Sequence, residues 1–152
     1  FVGNPIGWLL RNVNSSLALF KDNGIRSFSK VLIAIRPGRR NKRFIDVADK
    51  ICRHFGASLT LLNIVSESDS NQKIKRTEKS SSELISETKS KSVVKIIKSN
   101  NPVEAISEES ASYDLLILGT PEKDNWISVL FGAGEDRFVK KAACSVLRLT
   151  IK

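Results

Sequence analysis

Residues 30–35 (Lys-Val-Leu-Ile-Ala-Ile) form a short, continuous apolar run that Pro37 and Gly38 interrupt, which predicts a buried strand with a loop at its carboxyl end. The period then changes. Phe44, Ile45, Val47, Ala48, Ile51, Cys52 and Phe55 recur at helical spacing until Gly56, while Asp46, Asp49, Lys50 and Arg53 take the opposite side, as on a helix laid against a sheet. Residues 58–65 (Ser-Leu-Thr-Leu-Leu-Asn-Ile-Val) return to strand character. Strand, helix and strand in about 35 residues make a right-handed crossover unit with parallel pairing.

Residues 66–92 turn to Ser, Lys, Glu, Thr and Asn, with Ile74, Leu84 and Ile85 as the strong apolar anchors, and predict a long polar loop followed by a poorly buried helix over residues 75–89. Residues 93–97 read as the third strand. Asn101 and Pro102 open a helix that turns Val103, Ile106 and Ser110 inward, with proline at an allowed first-turn position. Residues 115–118 are the fourth strand, 126–131 a loop or short turn, 135–142 the last helix and 146–151 the fifth strand. This alternation predicts an α/β domain, an open five-stranded parallel sheet with helices on both faces. Such sheets bind ligands at the carboxyl ends of strands where the strand order reverses.

The first 29 residues repeat the end of the chain. One constant shift places Gly3 on Gly132, Trp8 and its four successors on Arg137 to Lys141, and Ser16 to Phe20 on Ser145 to Leu149. Residues 1–29 are therefore expected to be the last helix and strand of a preceding copy plus a linker, and residues 30–152 the domain proper. Strand residues 16–20, cut off from their own sheet, are expected to pair with an exposed edge here or in a neighbouring molecule. The chain contains no methionine, and we expect it to be a piece of a longer protein.

Composition narrows the class. With 152 residues, 41% hydrophobic and 27% charged, the chain is the size of one globular domain, and no apolar run approaches a bilayer span. Cys52 and Cys144 sit within apolar patterns, without Cys-x-x-Cys spacing and beside a single histidine, His54, so buried structural thiols are expected rather than a metal site or disulfide framework. A cytosolic compartment fits such thiols. The net charge of +9 arises from 25 basic and 16 acidic residues, and Arg36, Arg39, Arg40, Lys42 and Arg43 crowd the loop after the first strand. That cluster suits a local anion site.

Residues 113–119 (Tyr-Asp-Leu-Leu-Ile-Leu-Gly), 130–134 (Leu-Phe-Gly-Ala-Gly) and 143–149 (Ala-Cys-Ser-Val-Leu-Arg-Leu) carry a resemblance. Together with residues 30–35 and 57–65 they resemble a universal stress protein domain of the adenine nucleotide alpha hydrolase-like fold, over most of the chain. The nucleotide signature of that family is Gly-x2-Gly-x9-Gly-(Ser/Thr), which falls here on Gly119, Glu122, Gly132 and Ala133. Arg36 stands where the family's acidic nucleotide contact would be, and a guanidinium has donors only. Glu122 brings a negative charge to the phosphate position, and Ala133 lacks the hydroxyl. The resemblance thus implies a degenerate nucleotide site built on Arg36, Ile64, Gly119, Thr120, Gly132, Ala133 and Gly134, with weak binding of ATP, AMP or another anionic nucleotide such as a cyclic dinucleotide. A functional adenine-nucleotide site is the alternative. Residues 19–25, 36–39 and 129–133 are similar to the soluble tails of amino-acid permeases and related secondary transporters. That implies a non-enzymatic regulatory domain at the inner face of the membrane, with the transporter body as partner in cis and pairing either as a homodimer through the last strand or with a tandem copy. In the family's manner of pairing, a charge at Val146 would break the dimer.

Catalysis is disfavoured on the residues themselves. No Gly-x4-Gly-Lys-(Ser/Thr) occurs, no paired carboxylates flank a glycine loop, and His54 lies inside a helical pattern without a nucleophile and acid beside it. The basic loop lacks interleaved aromatic residues, so charge alone implies salt-sensitive, nonspecific nucleic-acid contact and no specific nucleic-acid partner.

Overall fold

The computed structural model describes residues 14–24, 27–35, 41–119 and 142–151. Six strands and three helices lie in these residues: β1 (Leu17–Lys21), β2 (Lys30–Ala34), α1 (Asn41–Phe55), β3 (Ser58–Val65), α2 (Asn71–Ile85), β4 (Ser92–Lys98), α3 (Pro102–Ser110), β5 (Leu115–Gly119) and β6 (Ser145–Thr150). One sheet runs in the order β1-β6-β5-β2-β3-β4. β2 to β6 are mutually parallel, as the alternation of strands and helices predicts. The sheet therefore has six strands where five were expected. β1 is the addition, antiparallel along the outer edge of β6, with Leu17 opposite Thr150 and Lys21 opposite Val146.

The sheet divides the core into two layers. On one face Val31, Ile33, Leu59, Leu61, Leu115 and Ile117 meet Phe44, Ile45, Ala48 and Cys52 of α1, with Leu84 and Ile85 of α2 at the margin. On the other, Leu32, Leu62, Leu116, Leu118 and Val146 meet Ile106 of α3 together with Ala142 and Cys144. Alternation along each strand sends neighbours to opposite layers, and each fully buried Leu or Ile contributes roughly 1.5–3 kcal/mol. Val146 is only 1% exposed. Its side chain therefore belongs to the core, while the edge of β6 is held by β1.

Both cysteines are buried and free, as the pattern implied. Burial, reinforced by the negative charge of Asp49, pushes the Cys52 thiol up to about 11, and burial also raises Cys144. Neither is a reactive thiolate at neutral pH. No cluster of metal-ligating side chains exists among the described residues. No described helix is long and apolar enough to cross a membrane.

Two elements differ from the expectation. α2 begins at Asn71, four residues before the expected start, because the Ser70 hydroxyl accepts from the Lys73 amide and caps the first turn. Asp49, assigned to the outer face of α1 by its charge, is buried at 8% exposure. Its Oδ1 accepts from the amides of Lys89 and Ser90 and from the Ser90 hydroxyl at 2.7–3.0 Å, and Oδ2 lies 3.1 Å from Arg53 Nε. One carboxylate thus ties α1 to the turn between α2 and β4. At the amino edge of the sheet Asp114 Oδ2 likewise accepts from the amides of Ser29 and Lys30, joining β5 to β2.

Candidate functional site

The chain leaves β2 in one direction, through β3 to β4, and later returns on the other side of β2 to lay down β5 and β6. The order therefore reverses between β2 and β5, and the carboxyl ends of these two strands, at Ala34 and Gly119, border the crevice where open α/β sheets take ligands. The N-terminal turn of α1 starts beside this rim, and Phe44 reaches across to Gly119. A Cβ at Gly119 would stand 3.3 Å from Phe44 Cζ. The glycine's immediate role is to admit that ring. Its carbonyl accepts from Arg148 Nη1 at 3.0 Å, which fixes the end of β5 against β6. Gly119→Val is expected to cost about 1–3 kcal/mol through overpacking against Phe44, measured by chemical denaturation. A drop below about 0.5 kcal/mol would show that the ring moves aside freely.

Ile64 lies near the carboxyl end of β3, half-buried, and packs on the α3 side of the sheet. The structure therefore brings Ile64 and Gly119 to one edge of the sheet but not to one face, since Gly119 opens toward Phe44 on the α1 side. Arg36, Thr120, Gly132, Ala133 and Gly134 lie outside the described residues, as do Arg39, Arg40 and Glu122, the expected turn over 126–131 and all but the final residue of the helix expected over 135–142.

A feature absent from the sequence reading adjoins this rim. A cleft of about 550 Å³ opens between α1 and α2 at the carboxyl ends of β2 and β3. Ile35, Ile45, Leu61 and Leu84 give it an apolar floor, and Asn63 and Arg76 are among its polar lining. Asn63 sits next to Ile64 on the strand, so it faces the opposite side of the sheet, where its Nδ2 donates to Ser81 Oγ at 2.8 Å in the buried interior. Across the mouth Lys42 and Glu87 pair at 2.5 Å. This contact raises Lys42 and lowers Glu87, by hydrogen bonding first and charge second. Both side chains are well exposed, so the pair closes the mouth loosely. The one trace in the sequence is Asn63, a polar residue inside an apolar strand.

The sheet order reverses between β2 and β5, and β5 ends on a glycine at that reversal, so the described residues form an open doubly wound α/β sheet. Comparison with known proteins specifies the family. The universal stress protein family profile matches residues 27–149, and the chain belongs to that family. No curated protein matches the chain by sequence. Among solved structures, the universal stress protein from Archaeoglobus fulgidus in complex with dAMP is similar at a TM-score of 0.61 and 12% identity, covering 82% of this chain and 99% of that one. A universal stress protein in complex with cAMP gives a TM-score of 0.63 and 16% identity over 84% of this chain and 100% of its own. A further universal stress protein from Archaeoglobus fulgidus DSM 4304, at a TM-score of 0.66 and 16% identity, covers 93% of this chain with 52% of its length. These likenesses establish the fold.

Proposed function

We propose that this universal stress protein domain is a non-enzymatic regulatory module that binds an adenine nucleotide weakly at the β2/β5 switch point. The observation that carries the reading is the glycine-ended rim at that reversal, in a fold whose solved relatives include complexes with dAMP and cAMP. A monophosphate suits the residues better than a triphosphate. Arg36 and its basic neighbours supply charge for one phosphate, whereas Glu122 and Ala133 stand at signature positions that would hold the polyphosphate. Each charge-assisted hydrogen bond missing there weakens binding by about 1.5–3 kcal/mol, roughly 10- to 150-fold.

Calorimetric titration tests this. AMP and cAMP are expected to bind at least as tightly as ATP, Gly132→Leu to weaken AMP at least about tenfold, and ATP not to be turned over. ATP bound much more tightly than AMP would restore the intact family site, and no heat with any adenine nucleotide at millimolar concentration would remove the ligand role. The transporter context rests on the similarity of residues 19–25, 36–39 and 129–133 to permease tails and on the +9 charge, which favours an anionic membrane surface. In this reading the domain reports nucleotide level to a transporter body in the same chain.

A further inference from the structure

Most charged side chains lining the cleft between α1 and α2 already have partners. Lys42 pairs with Glu87 and is also drawn on by Asp46. Lys73 pairs with Asp69, and Asp49 is held by Lys89, Ser90 and Arg53. Arg76 and Glu83 line the same cleft, and neither makes an ion pair among the described residues. They stand on one face of α2, two turns and about 10.5 Å apart along its axis. The cleft thus offers an uncompensated cation at one end and an uncompensated anion at the other.

The floor between these ends is built differently. Ser81 is the one buried residue of α2, so the helix leans on the sheet through a polar contact, the hydrogen bond from Asn63 Nδ2 to Ser81 Oγ. Asn63 is 6% exposed, yet the other end of its amide has no hydrogen-bond partner among the described residues. No polar side-chain atom there is both sealed from solvent and unpaired, so this free end is reached from the cleft that Asn63 lines. Ile35 follows Ala34, which is paired with Leu62, and so stands beside Asn63 on the same face of the sheet. Leu84 lies about one turn of α2 beyond Ser81. Both apolar side chains are half-buried and flank the amide. An occupant that is only apolar would leave the amide end unmet, at the cost of a buried polar group without a partner.

We propose that this cleft binds a short zwitterionic peptide with apolar side chains, its carboxylate on Arg76, its ammonium group on Glu83 and a backbone amide on Asn63. An extended chain advances about 3.3–3.6 Å per residue, so roughly three residues cover the distance from Arg76 to Glu83. A peptide group carries one donor and one acceptor and meets the free end of the Asn63 amide whichever way that side chain is turned. Its apolar side chains rest on Ile35 and Leu84. The cleft volume of about 550 Å³ falls in the range of small-molecule sites. This site is separate from the nucleotide rim: its lining comes from the end of β2, from β3, α1, α2 and the turn after α2, without a residue of β5, and Ile64 faces the opposite layer.

The test titrates the 152-residue chain with alanyl-leucyl-alanine and follows the Asn63 side-chain amide by nuclear magnetic resonance. That signal is expected to move, and an unmoved signal at millimolar peptide would overturn the proposal. Asn63→Leu is expected to weaken the peptide about three- to tenfold. Amidating the peptide's carboxyl end is expected to weaken binding about two- to fivefold in the wild type and to have no further effect in Arg76→Gln. The same loss on amidation in both proteins would overturn the assignment of the carboxylate. Arg76 is exposed, so its variant decides the matter even if Asn63→Leu fails to fold. With AMP present the peptide affinity is expected to stay within about twofold, as for independent sites. Displacement of the peptide by AMP would overturn the proposal, because the cleft would then belong to the nucleotide site.

Discussion

Asp49→Ala is expected to destabilise the domain by about 2–4 kcal/mol, lowering the melting temperature by roughly 5–12 °C for a chain of this size. The substitution removes the acceptor of three hydrogen bonds from Lys89 and Ser90 and leaves those donors at a partly buried turn without a replacement. The effect has a characteristic pH dependence. Burial alone would raise the Asp49 carboxyl, but the Ser90 amide and hydroxyl, the Lys89 amide and the Arg53 charge together hold it below its usual value. A carboxyl depressed on folding contributes its full stability above its unfolded value near 4 and loses it as the pH falls from there through the folded value. The gap between wild type and Asp49→Asn in urea denaturation should therefore be constant from pH 8 to 5 and narrow below about pH 4. A gap that stayed unchanged down to pH 2 would mean that the carboxylate charge does not hold the turn.

Val146→Lys is expected to be more damaging still, costing at least about 3–5 kcal/mol and leaving much of the protein unfolded if total stability is in the usual range of 5–15 kcal/mol. Val146 lies 1% exposed among Leu32, Leu116 and Leu118, where an ammonium group would have no partner and no water. A charge at this position reports on the core before it can report on any pairing of the last strand. Phe20→Lys makes the contrast: in the 152-residue chain its side chain is half exposed, and the change should cost less than about 1 kcal/mol. Circular dichroism melts of the two variants decide it. Val146→Lys with wild-type melting would place this side chain outside the core.

The parallel core was legible because strands covered on both faces read as near-continuous apolar runs: residues 31–35 and 115–118 are unbroken, and 59–65 is interrupted only at Thr60 and Asn63. α1 was legible from its 3.6-residue period. The start of α2 was not, since its first two turns bury little, and the signal lies in the single hydroxyl of Ser70. Asp49 misled for a related reason. A charged residue on a helix is ordinarily solvated, and the groups that satisfy this one lie some forty positions further along, where no local pattern points. The cleft between α1 and α2 has the same origin: Asn63 looked like an interruption in a strand, and only the packing of α2 supplies Ser81 as its partner. Strand order alone puts Gly119 and Ile64 near the carboxyl ends of their strands, as in the structure, but their opposite facing follows from residue parity within each strand and the register between them.

The antiparallel seam has a mechanical consequence. Leu17, where β1 begins, and Thr150, where β6 ends, lie side by side. Tension applied at these two residues opens the seam one hydrogen bond at a time, like a zipper, whereas the same tension loads the parallel seam between β5 and β6 in shear, with several bonds resisting together. Under load β1 therefore peels away first and the remaining sheet holds. A force too small to unfold the domain is enough to uncover the flank of β6.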